Sequence, residues 1–448
     1  MKLPEPPPKI DQFPRKPSPE TRRFMVSPEG RELFAKIDRE YLYWDRVKHQ
    51  KIPEGVRIEE MWRWVRSARF YRSDHLLLET PKGEAFHYCV PDSALGELHY
   101  LDRNAAGIIG LKTPGLPSGA SERYLITSLM EEAIASSQIE GADTTTLVAK
   151  EMLRTGRKPR DKAEQMILNN YVTIGRIKDL VKEPLTIGLL NSLQASMTEN
   201  TLDDPGSSGR LRKADEMIQV VDGSDGTVLH TPPPAEQLEA RLEKLCHFAN
   251  SNEGAFIHPI VKAVLLHFWL AYEHPYVDGN GRTARALFYW YALSKGYWLL
   301  EYVSISKAIL RSHRQYLRSF LYSETDDFDA TYFLMSQLKF IRAAIDDLHS
   351  YLDRKQKDYD LALGELKLWP NLNYRQQALV HHALKHPDGV YTVQSHQNSH
   401  KVAYATARWD LLSLVKQGLL EQGKRGKKMV FAVPADLERR IGGKRSVQ

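Results

Sequence analysis

The stretch His274-Pro275-Tyr276-Val277-Asp278-Gly279-Asn280-Gly281-Arg282-Thr283-Ala284-Arg285 lies between two apolar segments, residues 257–272 and 286–293. The hydrophobicity of both segments predicts buried helices. The stretch itself combines glycines with a histidine, a carboxylate and two arginines, which is typical of a loop that binds a ligand. We therefore predict a mainly α-helical protein in which two hydrophobic helices are joined by a short functional loop.

The second half of this loop has the chemistry of a phosphate site. Gly279 and Gly281 flank Asn280 and allow backbone conformations that a side chain would forbid. A helix that starts directly afterwards points its unpaired N–H groups back at the loop, where they bind anions. Arg282 and Arg285 are three residues apart. They therefore share one face of the first helical turn and can bind further phosphates.

Two more side chains complete the pattern. His274 is a candidate general base, because a histidine changes its charge near neutral pH. Asp278 is placed to hold a divalent ion on the phosphates. A plainer interpretation is a turn with ordinary capping residues. The density of chemically reactive side chains within twelve residues favours a site instead.

Residues 274–285 resemble the signature of Fic-domain proteins, with Tyr276 in place of the more usual phenylalanine. This resemblance implies transfer of AMP from ATP to a serine, threonine or tyrosine hydroxyl of a protein, either another protein or this chain itself. The related Doc branch, which resembles a kinase, has Ala-Asn-Lys where this chain has Gly279-Asn280-Gly281. That difference argues against kinase chemistry here.

The resemblance also implies a role for each loop residue. His274 would deprotonate the target hydroxyl, and Asp278 would hold Mg²⁺ on the α- and β-phosphates. The backbone of residues 279–281 would form an anion hole. The phosphate contacts implied are those of Asn280 to the α-phosphate, Arg282 to the β-phosphate and Arg285 to the γ-phosphate.

A second motif, Ser136-Ser137-Gln138-Ile139-Glu140-Gly141, precedes the loop in the chain. Taken alone it reads as a helix end capped by Gly141. It also resembles the inhibitory motif of the Fic family, in which Ser136 is followed by Glu140 and Gly141. That resemblance implies an inhibitory helix at about 132–141, whose Glu140 pairs with Arg285 and keeps the arginine from the γ-phosphate. Inhibition would then be intramolecular.

Composition indicates a soluble globular protein of two or three domains. The chain has 448 residues, 42% hydrophobic and 26% charged. Its two cysteines predict reduced thiols and a cytoplasmic location, and no segment reads as a leader or a membrane span. Residues 363–448 hold 14 Lys/Arg and 6 Asp/Glu, a net charge of +8, so the remainder carries −2 of the total +6. This asymmetry suggests that the C-terminal part meets an acidic partner such as nucleic acid.

The chain divides into three predicted domains. Residues 1–120 form a proline-rich arm and an accessory region, with a helix at 61–70, strands at 75–78 and 85–90, and a candidate strand at 98–101. Residues 121–363 form the Fic-type helical core. Its predicted helices span residues 121–135 with Ser121 as cap, 163–180, 187–200 with Thr186 as cap, 235–249, 304–321 and 329–363.

Two features of the core bear on the site. The sequence from about residue 210 to residue 231 predicts a β-hairpin, with a strand at 217–221 and a glycine-containing turn after it. The resemblance implies that this hairpin, the flap, aligns the target segment by strand pairing. The family often has a Tyr-Tyr pair at the adenine pocket, where this chain has Gln315-Tyr316. Tyr316 is therefore either an adenine contact or a core aromatic.

Residues 364–448 predict helices at 374–385, 392–398 and 403–415, followed by a basic β-hairpin. This order resembles a winged helix-turn-helix domain. Tyr404, Thr406 and Arg408 would lie at the start of the third helix, where such domains meet DNA. The hairpin residues predicted to contact phosphates are Lys424, Arg425, Lys427 and Lys428. A domain that binds protein, with a solvated basic hairpin, is the alternative.

Three functional alternatives to AMP transfer stay open at this stage. The same site could remove AMP, with Glu140 orienting water, or it could use another nucleotide. The chain could also be a DNA-binding regulator whose Fic-type site senses nucleotide. The sequence leaves the oligomeric state open, a homo-oligomer included.

Overall fold

A computed structural model describes residues 3–9, 16–106, 120–223, 225–251, 254–366, 372–425 and 428–442. Within these ranges the protein is mainly α-helical, as the sequence predicts, with seven short strands in three small sheets. No helix among the described residues is long and apolar enough to cross a membrane.

The N-terminal region confirms the predicted helix at 61–70 and the strands at 75–78 and 85–90. The candidate strand at 98–101 is wrong, because those residues lie in a helix. Ala94, Leu98 and Leu101 are buried at helical spacing, and a four-residue window is too short to tell that period from strand alternation. The elements are α1 Pro19–Val26, α2 Pro28–Arg39, α3 Trp44–Val47, α4 Ile58–Tyr71, β1 Asp74–Glu79, β2 Ala85–Tyr88, α5 Asp92–Leu101 and a π-helical turn at Asp102–Ala106.

The helical core contains nearly all of the predicted helices. Its elements are α6 Ala120–Ile139, α7 Thr146–Thr155, α8 Lys162–Leu180, α9 Ile187–Thr198, a 3₁₀ turn at Pro205–Ser207, β3 Val220–Val221, β4 Val228–His230, a 3₁₀ turn at Ala235–Gln237, α10 Leu238–Asn250, α11 Pro259–Glu273, α12 Asn280–Ser294, a 3₁₀ helix at Trp298–Tyr302, α13 Ile305–Arg311, α14 His313–Thr325 and α15 Thr331–Leu366. Thr186 caps α9 as predicted, since its hydroxyl accepts from the Leu189 N–H at 3.0 Å.

Three boundaries in the core differ from the prediction. Helix α6 includes Ser121 rather than starting after it, and it continues to Ile139, past the predicted end at 135. The single helix predicted at 304–321 is wrong, because the backbone at Ser312 leaves the helical region and separates α13 from α14. Serine competes for backbone hydrogen bonds and so tolerates helix ends better than helix interiors. The flap strand predicted at 217–221 is shorter, with only Val220–Val221 paired to β4.

Helices α11 and α12 pack against each other at the centre of the core. Every residue of α11 except Pro259 and Ala271 is buried, and most residues of α12 are buried as well. Helix α12 also contacts α8 and α9, and α6 contacts α8 and α13. The loop between α11 and α12 is therefore held on several sides by rigid elements.

The C-terminal segment contains the predicted helices and hairpin, together with a short strand that the sequence did not indicate. Its elements are α16 Tyr374–Lys385, β5 Val390–Tyr391, α17 Val393–His400, α18 Tyr404–Lys416, β6 Glu421–Arg425, β7 Lys428–Ala432 and α19 Leu437–Gly442. The strands form an antiparallel sheet in the order β5-β7-β6. Buried residues of this segment, among them Val380, Leu411 and Phe431, form a hydrophobic cluster of their own. The assignment to the winged-helix class and the three domain boundaries stay predictions.

Candidate active site

The turn between α11 and α12 depends on two residues with positive φ. His274 ends α11 with φ +46°, and its N–H donates to the Leu270 carbonyl at 3.1 Å. Gly279 precedes α12 with φ +86°. A β-carbon at Gly279 would also lie 2.9 Å from the Thr198 methyl carbon. Glycine is required there both by the backbone angle and by the close approach of α9.

The side chain of Asn280 braces this turn from inside. Its Oδ1 accepts from the Tyr276 N–H at 2.9 Å, and its Nδ2 donates to the Tyr276 carbonyl at 2.7 Å. Asn280 is buried, so these two bonds satisfy polar groups that water cannot reach. The predicted contact of Asn280 with an α-phosphate stays a prediction, whereas its bracing role was missed by the sequence analysis.

The predicted pair between Glu140 and Arg285 is present. Nη2 of Arg285 donates to Oε1 of Glu140 at 2.8 Å. The same guanidinium donates from Nε to the Ser136 hydroxyl and from Nη2 to the Ser136 carbonyl, both at 2.9 Å. Its Nη1 is buried and has no hydrogen-bond partner among the described residues. The motif at the end of α6 thus holds Arg285 through both Ser136 and Glu140.

The carboxylate of Glu140 also lies directly against the first turn of α12. A β-carbon at Gly281 would overlap its Oε1 and lie 3.1 Å from its Oε2. The start of a helix carries partial positive charge and unpaired N–H groups. Glu140 therefore places its negative charge where the sequence predicts phosphate. Gly141, with φ +89°, then turns the chain away from α6 as the predicted cap.

The local charges keep Glu140 ionised. Burial alone would raise the pKa of this carboxyl, but the charge and hydrogen bond of Arg285, with a smaller contribution from Arg282, hold the pKa below its ordinary value. An acid that is both partly buried and ionised at neutral pH needs its cationic partner.

Asp278 is the most solvent-accessible of the charged loop side chains, with 40% of the side chain exposed. Its Oδ1 accepts from the Gly279 N–H at 2.5 Å and lies 3.4 Å from Nη2 of Arg282. Arg282 is itself fixed by a 2.7 Å bond from Nη1 to the Met197 carbonyl. No group of three or more metal-binding side chains occurs among the described residues. One accessible carboxylate fits Mg²⁺, which commonly keeps its waters and takes other ligands from substrate phosphates.

His274 is arranged to act as a base. Its Nδ1 lies 3.3 Å from the Ala271 carbonyl, so the tautomer with a proton on Nδ1 leaves Nε2 free to accept one. Burial, followed by the neighbouring charge of His230, lowers the pKa of His274 to about 4. The imidazole is therefore neutral at pH 7.

Tyr316 lies in the core rather than on an open surface. It is 5% exposed, and its hydroxyl is 3.0 Å from Nε2 of His267. Its ring packs edge-on against Phe320 with 5.2 Å between centroids. These contacts favour the core-aromatic alternative, and the adenine contact stays a prediction.

No sequence motif indicated the contacts that hold α6 in place. The carboxylate of Glu132 is buried and accepts from the Ser304 hydroxyl and from the Ser306 N–H, each at 2.9 Å. These bonds join α6 to the start of α13. They help to fix the position of α6, and with it that of Glu140, relative to α12. The only sequence signal was a glutamate within an apolar helix face.

Comparisons with known proteins find similarity to Fic proteins over part of the chain. Residues 184–292 match the Fic/DOC family model. The chain is 26% identical over 195 residues to the protein adenylyltransferase Fic of Drosophila grimshawi, which covers 44% of this chain and 38% of that protein. It is 45% identical over 58 residues to the protein adenylyltransferase Fic of Nematostella vectensis, which covers 13% and 14%. The match thus spans well under half the length of these relatives.

Solved structures of Fic proteins are also similar. A Fic family protein from Desulfovibrio desulfuricans G20 gives a TM-score of 0.48 at 19% identity, covering 76% of this chain and 94% of that one. Fic-1 from C. elegans gives 0.46 at 19% identity, covering 58% and 72%. The loop at 274–285 lies within the residues that match the Fic/DOC family model.

The Glu140–Arg285 pair predicts a pH-dependent contribution to stability. Because the folded-state pKa of Glu140 is lowered, the contribution is fully present above the ordinary value of 4.5 and is lost as the pH falls through the lowered pKa. We expect Glu140→Gln to reduce the melting temperature by roughly 2–4 °C at pH 7. Thermal melts from pH 7 to pH 3 should show this difference shrinking below about pH 4.5.

The matched control is Asp143→Asn, because Asp143 is exposed in the same segment. Its melting temperature should follow that of the wild type at every pH. A difference for Glu140→Gln that is constant across the range, or absent at pH 7, would contradict the assignment.

Proposed function

We propose that this protein is an adenylyltransferase that moves AMP from Mg·ATP to a hydroxyl side chain of a target protein. The observation that carries the proposal is the convergence on one loop of a neutral histidine, an accessible carboxylate and a helix start that already holds an anionic group. The similarity to proteins named adenylyltransferase Fic supports the same reaction.

The reaction follows from the positions of the loop side chains. The α-phosphate would lie at the start of α12, where the backbone N–H groups of residues 279–281 and the helix dipole stabilise negative charge. Nε2 of His274 takes the proton of the target hydroxyl, and the hydroxyl oxygen attacks the α-phosphorus. The bond from that phosphorus to the bridging oxygen breaks, and diphosphate leaves.

The remaining charged residues hold the nucleotide. Asp278 would hold Mg²⁺, which when bound neutralises charge on the phosphates. Arg282, already fixed by the Met197 carbonyl, faces the same end of α12 and would bind the β-phosphate. Arg285 would bind the γ-phosphate. The chain therefore contributes mainly position and charge, as is general in phosphoryl-group transfer.

Glu140 would keep the resting enzyme slow. Its carboxylate holds Arg285 through a charge-assisted bond and places a negative charge beside the predicted phosphate site. Productive binding of ATP would have to break that bond and displace the charge. Because the inhibitory motif and the loop belong to one chain, the brake would act without a second protein.

We expect Glu140→Gly to raise protein-bound label well above the wild type when the enzyme is incubated with Mg²⁺ and ATP labelled on the α-phosphate. The substitution removes the carboxylate that competes for Arg285, so ATP can engage the arginine. The double variant Glu140→Gly/His274→Ala should lose at least about 100-fold of that signal, the scale of general-base catalysis. Gel autoradiography, with and without a cell lysate as the source of targets, gives the measurement.

Asp143→Gly is the matched control and should remain at the wild-type level, because Asp143 is exposed. Folded variants that bind ATP but carry no label would contradict AMP transfer. Release of free AMP from a pre-modified target would indicate AMP removal by the same site instead. Label from a different nucleotide in a panel would change the donor and keep the transfer reaction.

We propose, as a second function, that the C-terminal segment binds DNA. The supporting observation is the exposed face of α18, where Tyr404 is 57% and Trp409 is 62% exposed, with Arg408 exposed between them and Thr406 half-buried. An aromatic and basic helix face, next to a hairpin that carries basic residues, suits contact with bases and phosphates. Lys424 and Lys428 are exposed on this hairpin. Of the other predicted contacts, Lys427 and the side chain of Arg425 lie outside the described residues.

Fluorescence anisotropy with a labelled DNA duplex tests this second function. We expect the double variant Arg408→Ala/Lys424→Ala to weaken binding and to reduce the slope of log affinity against log salt by about 1 to 2, because up to two phosphate contacts are lost. Arg439→Ala, an exposed basic residue on α19, should keep the wild-type slope. Equal binding by all three proteins, or no binding, would favour the alternative of a protein-binding domain.

A further inference from the structure

Arg212 joins the flap to the active-site loop through three backbone carbonyls. Its N–H donates to the Pro275 carbonyl at 2.8 Å, and its Nε donates to the His274 carbonyl at 2.9 Å. Its Nη2 donates to the carbonyl of Pro233. Arg212 precedes β3 and Pro233 follows β4, so a single residue connects both ends of the flap hairpin to the loop.

The guanidinium of Arg212 is committed to these carbonyls rather than to a carboxylate. It is 8% exposed, and no carboxylate lies within salt-bridge distance of it among the described residues. The neighbouring Arg210 differs, because it forms a two-pronged pair with Glu216 at 2.6 and 2.9 Å. A buried cation whose hydrogen bonds go to carbonyls rather than to a carboxylate is costly, so these three bonds are strongly tied to the local backbone geometry.

The contact to His274 bears on the orientation of the base. His274 has the left-handed backbone conformation, which is unfavourable for a residue with a side chain and persists only when its surroundings hold it. The bond from its own N–H to Leu270 fixes one side of the residue, and the Arg212 bond to its carbonyl fixes the other. This backbone, together with the contact between Nδ1 and the Ala271 carbonyl, sets the direction of the imidazole.

A second bridge ties the same segment to Asp278. The amide of the fully buried Gln194 accepts from the Gly209 N–H at 2.7 Å and donates to the Asp278 carbonyl at 3.0 Å. The segment 209–212 is therefore linked to the backbone of His274 directly and to that of Asp278 through the Gln194 side chain. The position of the flap and that of the two functional side chains are set by one rigid unit.

We propose that Arg212 is a positioning residue that fixes the His274 imidazole relative to the flap, so that a target hydroxyl held along the flap meets the base. The inference rests on the proposed transfer of AMP to a protein. Under this inference, ATP binding and proton removal from the target depend on different residues. Arg212 contacts neither the first turn of α12 nor Arg285, so it acts on proton removal from the target and not on the binding of ATP.

The experiment places Arg212→Gln and Arg212→Lys in the Glu140→Gly background. The control in the same background is Arg72→Gln, which removes a two-pronged arginine–carboxylate pair with Asp38 outside the flap and the loop. Transfer to a fixed target is measured as kcat and KM for ATP, beside ATP affinity and the melting temperature. We expect Arg212→Gln to lower kcat roughly 10- to 100-fold with the KM for ATP within about twofold, because misplacement of a reacting group costs rate rather than affinity. The kcat of Arg212→Lys should fall between that of Arg212→Gln and that of the background, and Arg72→Gln should keep the background rate.

The outcomes distinguish this inference from the function on which it rests. An inactive Glu140→Gly background would remove the proposed AMP transfer itself. An active background with unchanged kcat in folded Arg212→Gln and Arg212→Lys would overturn the positioning role. A parallel loss of ATP affinity and kcat in either variant would also overturn it. If Arg212→Gln melts below the assay temperature, the kcat and KM values of Arg212→Lys decide between these results.

Discussion

The bond between Arg285 and Glu140 is the interaction on which the arrangement of this site depends. It joins the residue that follows α6, far earlier in the chain, to the second turn of α12. Removing either Arg285 or Glu140 would leave the other charge poorly solvated. The pair therefore holds the end of α6 against α12 as long as both groups are ionised. Glu132 holds α6 against α13 independently of the pair. The end of α6 can therefore change without loss of the whole helix.

The backbone of the loop is fixed by contacts within the chain itself. Positive φ angles at His274 and Gly279, the amide brace of Asn280 and the bond from Arg282 to the Met197 carbonyl fix its backbone. Donors that are already oriented need not reorganise during a reaction, which is the main source of electrostatic catalysis. Under the proposed function, the same rigidity would let one carboxylate at the helix start obstruct the site, because the phosphates would have no other position to take.

The sequence was sufficient for the features that are local in the chain. The helix–loop–helix at 257–293, the flap hairpin and most helix bounds could be predicted from periodicity and turn residues, and the pairing of Glu140 with Arg285 followed from a family resemblance. The strand at 98–101 and the single helix at 304–321 were wrong, because a short apolar run and one serine carry little local signal. The contacts of Arg212 and Gln194 join residues 62 and 84 positions apart, and no sequence spacing reports such pairs. The burial of Tyr316 is likewise a property of the packed core.

Under the proposed function, Glu140 withholds Arg285 from the terminal phosphate of ATP. Titration calorimetry with Mg·ATP and Mg·ADP, on the wild type and on Glu140→Gln, is the sharpest test of this, because ADP lacks the phosphate that Arg285 would bind. We expect the substitution to raise the affinity for ATP more than the affinity for ADP, so that the two changes in binding free energy differ. An equal change in affinity for both nucleotides, or no change for either, would contradict it.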